Sequence, residues 1–316
     1  MNIVILGAGV QGTVYAVRLA TAGHQVTLIA HPDRAAELRK HGATIQDLST
    51  MRIHTTLPPV LETLPPTCDA DICLVTVRRE QLDTAVADLL HAPAIQRIVL
   101  LVNHANGSAH LRKLLGPSRT VLAFPGVAGD RQGNLIRYLD IPQQHTVIEK
   151  SAPDIATLLR QANFPIDTVH DMDAWLQRHA VFITAIAGAL YESACDPRRL
   201  ASNPATVRRF ILAVRQGWAV QDRKLLAPAP LALRSIFCWV PLRFSARYWC
   251  RLLASPRGDI YFGRHVQHAP AEMAALAQDL RSAFDTAGAP ELQRFLVSID
   301  AAQQQFHLGP PTRAAR

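Results

Sequence analysis

The first twelve residues constrain this chain more than any other segment. Asn2–Leu6 is an apolar, β-branched run. Gly7-Ala8-Gly9-Val10-Gln11-Gly12 follows it directly, and a helical pattern over Gln11–Ala22 comes next, with Gly23 as its stop. A buried strand that turns through G-x-G-x-x-G into a helix opens a βαβ unit suited to a dinucleotide. Gly7 would make the tight turn, Gly9 would let the backbone approach a pyrophosphate, and Gly12 would let helix and strand pack closely. Backbone N–H groups around Val10, Gln11 and Gly12 at the helix start would face the diphosphate. Without a ligand, the same residues form only a glycine-rich strand–helix turn.

The pattern after this turn alternates. Gln25–Ile29, Asp71–Val77, Arg97–Val102 and Thr120–Phe124 read as buried strands, and His31–His41 and Glu80–Leu90 read as helices. Strands alternating with helices mean a parallel sheet with helical crossovers. After the short run Pro165–His170 the strand signal fades into Ala/Leu/Arg-rich helical stretches at 172–192, 205–223 and 270–287. The fold class expected is α/β: an N-terminal Rossmann-like doubly wound sheet (1–170), an all-α C-terminal domain (171–305) and a flexible tail (306–316).

Composition narrows the class of partner. The 316 residues are 49% hydrophobic and 18% charged, enough for a large core. No apolar run reaches the ~18 residues of a membrane span, and the N-terminus lacks the basic start and cleavage site of a secretory signal. Five cysteines, none in C-x-x-C spacing, suit a reduced cytoplasmic protein and argue against zinc or any other structural metal. The net charge of +8 favours anionic partners. The basic residues are dispersed and match no nucleic-acid motif, so a small anionic molecule is the expected partner and nucleic acid is not.

Cofactor choice is written at the end of the second strand, in Leu28-Ile29-Ala30-His31-Pro32-Asp33-Arg34. NAD enzymes present an acidic residue to the ribose there, and NADP enzymes present positive groups. Asp33 comes late, whereas His31 and Arg34 stand near the contact position, so NADP (as NADPH) is expected.

Taken together, GAGVQG, TAGHQVTLIA and the Arg/Ala-rich helix ending in His41-Gly42 resemble the ketopantoate reductase (2-dehydropantoate 2-reductase) family, most clearly over residues 1–137. The resemblance implies a Rossmann domain, a helical domain, and NADPH-dependent reduction of a 2-oxo acid at the cleft between them. Arg78 and Gln81 resemble the family's Lys–x–x–Gln segment at the cofactor's edge. Asn103-His104-Ala105-Asn106-Gly107 resembles its N-G-x-G turn, with His104 in the place of the asparagine and Asn103 beside it; a helix-capping turn would read the same way. The family's catalytic lysine is missing from Ala174–Phe182, where Arg178 takes its place and His179 follows. Arg178 would hold a carboxylate. His179, titrating near neutrality, would donate the proton, or it is a core histidine on the apolar stripe of Trp175, Phe182 and Ile186. Glu272 resembles the family's substrate-binding glutamate, and equally a carboxylate at a helix N-terminus. A homodimer contact is expected on the helical domain. The altered residues leave open a member that binds NADPH without catalysis, as a sensor or structural partner.

Residues 225–255 stand apart. Pro228, Pro230 and Pro241 accompany Phe237, Trp239, Phe244, Tyr248 and Trp249, interleaved with Arg234, Arg243, Arg247 and Arg251. This reads either as a lid or membrane-surface patch, or as core aromatics with arginines reaching to solvent.

Overall fold

The computed structural model describes residues 1–224 and 231–308. Pro228, Pro230 and all but the first three residues of the expected tail lie outside them. The chain forms two compact units, Met1–Asn103 with Gly107–Asp173, and His104–Asn106 with Ala174 onward.

In the first unit the strands are β1 (Asn2–Leu6), β2 (Gln25–Ile29), β3 (Ala43–Asp47), β4 (Ile53–Thr56), β5 (Val60–Leu61) and β6 (Ile72–Val75), then β7 (Arg97–Leu101), β8 (Thr120–Phe124), β9 (Val127–Gln132), β10 (Leu135–Asp140), β11 (Thr146–Glu149) and β12 (Ile166–Val169). Eight of them form one sheet in the order β12-β11-β8-β7-β6-β1-β2-β5. All neighbours in it are parallel except β8 and β11. The chain moves outward from β1 to β2, then returns to β6 on the other side of β1. That reversal creates a switch point at the carboxyl ends of β1 and β6, where such sheets bind ligands. The helices are α1 (Val10–Thr21), α2 (Pro32–His41), α3 (Leu82–Leu90), α4 (Ala109–Leu115) and α5 (Pro153–Gln161). Gly23 ends α1 at φ +91°, a conformation that favours glycine.

A second sheet, β4-β3-β10-β9, is absent from the sequence reading. Its strands are partly exposed and interrupted by polar residues, so they lack the unbroken apolar runs that mark the large sheet. Phe124 ends β8, and Val127 begins β9. The small sheet covers α1, seven of whose twelve residues are buried. Tyr15 stacks on Phe164 with centroids 4.3 Å apart and shares a 2.8 Å hydrogen bond with Thr146. Arg18 lies over Phe164 and reaches Asp140 on β10 through two bonds of 2.9 and 3.1 Å.

The second unit is helical. It contains α6 (Met172–Tyr191, whose first two residues group with the first unit), α7 (Pro197–Ala201), α8 (Pro204–Asp222), α9 (Leu231–Arg234), α10 (Leu242–Ala254), α11 (Pro256–Gly258), α12 (Arg264–His268), α13 (Pro270–Ala283) and α14 (Pro290–Leu308). Asp196 and Asn203 cap α7 and α8, and prolines open both, so short polar punctuation divides the helical stretch. The segment read as one helix over 270–287 ends at Ala283, where Phe284 turns extended. In the segment 231–255, Phe237 and Trp249 enter the core as the packing reading expects, while Trp239, Phe244 and Tyr248 are exposed.

Helices α6 and α14 meet at Gly188, where an added Cβ would lie 2.4 Å from the Phe295 Cβ and 2.6 Å from its carbonyl oxygen. Gly188→Ala is expected to cost about 1–3 kcal/mol by overpacking, read as a lower urea midpoint. An unchanged midpoint would show that the two helices separate freely at this crossing.

Candidate functional site

The glycine-rich turn sits at the carboxyl end of β1, beside the switch point. Gly7 has φ +108°, and its N–H donates to the Ile29 carbonyl at 3.1 Å. A Cβ on Gly12 would come within 1.9 Å of the Gly7 carbonyl oxygen and 2.6 Å of the Thr76 hydroxyl, so only glycine lets α1 approach the strand this closely. A Cβ on Gly9 would meet nothing within 4 Å. Gly9 is exposed and Val10 and Gln11 are half-buried, so this side of the turn has room for a phosphate while the other is packed.

Two residues that hold the turn were not singled out in the sequence. Thr76 donates its hydroxyl to the Gly7 carbonyl at 2.7 Å, and the Thr13 hydroxyl lies 3.3 Å from the Ala8 carbonyl. Thr76 follows the apolar run Ile72–Val75, and a hydroxyl ending a buried parallel strand was the available signal.

At the end of β2, His31 is the exposed N-cap of α2 and Asp33 is exposed in its first turn. Arg34 points inward. Its guanidinium donates to the Ala8 carbonyl (3.2 Å), to Glu37 (2.6 Å) and to Asn134 (3.3 Å). These bonds brace the turn from behind. Arg131 on β9, half-exposed, lies 3.6 Å from the same Glu37, so this corner carries two guanidiniums against one carboxylate.

Arg78 and Gln81 bracket a short 3-10 turn ahead of α3, where the Arg78 N–H donates to the Gln81 side-chain oxygen at 3.2 Å. The Arg78 side chain is exposed. Asn103 follows β7, and its buried side-chain oxygen has no hydrogen-bond partner among the described residues. His104 is buried and groups with the second unit, where the neighbouring Ala105 N–H donates to Asp279 at 3.3 Å.

In the second unit the candidates fall on two regions. Arg178 is 1% exposed; it donates to the Trp218 carbonyl at 2.9 Å and to the Asp222 carboxylate. The carboxylate it holds belongs to its own chain. His179 is 2% exposed, stacks on Trp175 at 5.0 Å and meets the edge of Phe182 at 5.9 Å. Burial among these rings lowers its pKa to about 3. The expected titration near neutrality is corrected: this imidazole is neutral at pH 7. Glu272 is buried in the first turn of α13, and one of its oxygens lies 3.5 Å from Nε2 of the half-exposed His265 on α12. His265 was missed because α12 has no sequence signature of its own.

Residues 3–149 match the family model described as ketopantoate reductase PanE/ApbA. A comparison with curated proteins finds no match. Among solved structures, the fold is similar to a 2-dehydropantoate 2-reductase from Geobacter metallireducens GS-15 (TM-score 0.72, 14% identity, 96% of this chain and 100% of that one). It is also similar to a PanE/ApbA family ketopantoate reductase from Ralstonia eutropha JMP134 (TM-score 0.69, 19% identity, 96% and 100%). A third similar structure is D-mandelate dehydrogenase with NADH and anilino(oxo)acetate (TM-score 0.68, 11% identity, 96% and 98%).

The buried imidazole carries a pH dependence. Between pH 6.5 and about 3 the unfolded chain binds a proton at His179 that the native state refuses, so this residue lowers stability as pH falls through that window. Urea midpoints at pH 7.0 and 4.5 are expected to differ less in His179→Phe than in the wild type. An equal difference in both proteins would mean that the native state protonates His179 as readily as the unfolded chain.

Proposed function

We propose that this chain, whose residues 3–149 match the ketopantoate reductase PanE/ApbA family model, is a divergent member of that family and an NADPH-dependent oxidoreductase acting on a carbonyl or imine of a small anionic molecule. The observation that carries this reading is the turn at the β1–β6 switch point, packed solid behind Gly12 and open at Gly9. The backbone N–H groups that begin α1 would take the pyrophosphate. When bound, the reduced nicotinamide supplies a hydride to the substrate carbon.

The chain's own groups account for the rest. Arg34, Thr76 and Thr13 act as positioning residues that hold the carbonyls of Gly7 and Ala8. Arg131, half-exposed beside Glu37, would offer its guanidinium to a ribose 2′-phosphate. Asn103 offers its unpartnered side-chain oxygen at the end of β7 to the nicotinamide amide. Arg178 keeps its roles toward Trp218 and Asp222. We assign the proton to His265 rather than to His179, because a donor must be open to its acceptor: His265 is half-exposed, whereas His179 is buried. Glu272 would orient the His265 ring. The enzyme is assigned to the cytoplasm, and all five cysteines are free.

Titration followed by NADPH fluorescence tests the cofactor site. Gly9→Val is expected to weaken binding sharply by filling the approach to the pyrophosphate. Arg131→Ala is expected to weaken NADPH and leave NADH unchanged. Equal NADPH affinity in wild type and Gly9→Val would overturn the site, and an equal loss for both cofactors in Arg131→Ala would overturn the 2′-phosphate reading.

Turnover with a panel of 2-oxo acids tests the acid. His265→Gln is expected to lower kcat about 10²–10⁴-fold with little change in NADPH affinity. His179→Gln should act only through stability. A reversed outcome would return the proton to His179, and NADPH binding without turnover on any member of the panel would favour a cofactor-binding protein.

A further inference from the structure

Helix α10 turns an unusual face outward. Ser245, Ala246, Trp249 and Leu253 are buried, while Arg243, Phe244, Arg247, Tyr248 and Arg251 are exposed. At 100° per residue the arginines at 243, 247 and 251 form one stripe, and Phe244 and Tyr248 form the stripe beside it. Phe244 is 51% and Tyr248 40% exposed, and Trp239, three residues before the helix, is 63% exposed. The surrounding sequence is one-sided as well. From Arg223 to Gly258 there are seven Lys and Arg residues and no Asp or Glu.

We propose that the outward face of α10, with Trp239, docks the protein onto an anionic lipid bilayer. Three arginines on one stripe need a dense negative partner, and a leaflet containing anionic lipid supplies it across a plane. Large aromatic side chains on the same face gain by entering the headgroup and acyl boundary, where Trp and Tyr rings are at home. A helix face is convex, so it lies against a flat surface but does not enclose a nucleic-acid strand as a charged groove does. A second copy is disfavoured by charge, because a two-fold contact would bring Arg243, Arg247 and Arg251 against themselves. No described helix is long and apolar enough to cross a membrane, so the attachment is peripheral and salt-sensitive.

The chain carries its own probe. Of its four tryptophans, Trp175, Trp218 and Trp249 are 5% exposed or less, so a shift in emission reports Trp239. The full-length protein is titrated with vesicles of phosphatidylcholine alone and with a third phosphatidylglycerol, at low and at 0.5 M salt. Expected are a blue shift and co-sedimentation with the anionic vesicles only, both lost at high salt. Arg247→Gln with Arg251→Gln should weaken partitioning about 25-fold, at roughly fivefold for each arginine. Phe244→Ser should weaken binding to the anionic vesicles at low salt and reduce the blue shift, and circular dichroism checks that each variant is folded. The proposal is overturned by no binding to anionic vesicles, by binding that the arginine pair does not affect, or by equal binding to neutral vesicles. It is also overturned if those arginines instead govern binding of a single-stranded oligonucleotide or dimerisation of the protein while vesicles are ignored.

Discussion

The contact between the start of α1 and the end of β1 sets the terms for the first unit. With hydrogen alone at position 12, the helix comes close enough to the Gly7 carbonyl that a methyl group would overlap it at 1.9 Å. Thr76 then reaches the Gly7 carbonyl from β6 and ties the turn to the second strand of the switch point. An approach this close draws α1 deep into the unit, so most of its residues must be covered. The small sheet supplies the cover, with Arg18 tied to Asp140 on β10, while Tyr15 bonds Thr146 on β11 of the large sheet. The packed side of the turn and its open side are two faces of one constraint: glycine at 12 for packing and at 9 for space.

Burial also determines which charged side chains are available for chemistry. Arg34 and Arg178 are among the most buried polar residues of the chain, and both spend their donors on carbonyls and carboxylates of the same protein. Removing a partner from such a pair typically costs about 3–5 kcal/mol, because the remaining charge is stranded away from water. Groups so committed serve as braces. His179 illustrates the same point for a titratable ring: surrounded by Trp175 and Phe182, it loses the hydration that stabilises its cation, and its pKa falls to about 3. The half-exposed His265 beside Glu272 and Arg131 beside Glu37 are not enclosed in this way.

The net charge of +8 is not evenly used. Many arginines are consumed internally, as in Arg18–Asp140, Arg112–Glu149 and Arg209 with Glu192 and Glu291. The stretch from Arg223 to Gly258 lacks acidic partners of its own and presents its excess on the surface of α10. Composition sets the size of that excess, and folding decides where it faces.

By itself, the sequence determined the elements whose signal is local. The apolar runs of β1, β2 and β8 appear with the limits read from them, because a strand buried on both faces must be apolar throughout. The G-x-G-x-x-G turn was legible for a similar reason, since its steric demands act between residues a few positions apart. Tertiary structure alone decided what depends on partners distant in sequence. The small sheet pairs β3 with β10 across some ninety residues, and its half-exposed strands carry no unbroken apolar run. The roles of Arg34, Arg178 and His179 could not be read from spacing, because a side chain's charge and availability depend on how much water the fold leaves it. Nor could the pairing of His265 with Glu272, which needed the turn between α12 and α13 to bring a ring and a carboxylate within 3.5 Å.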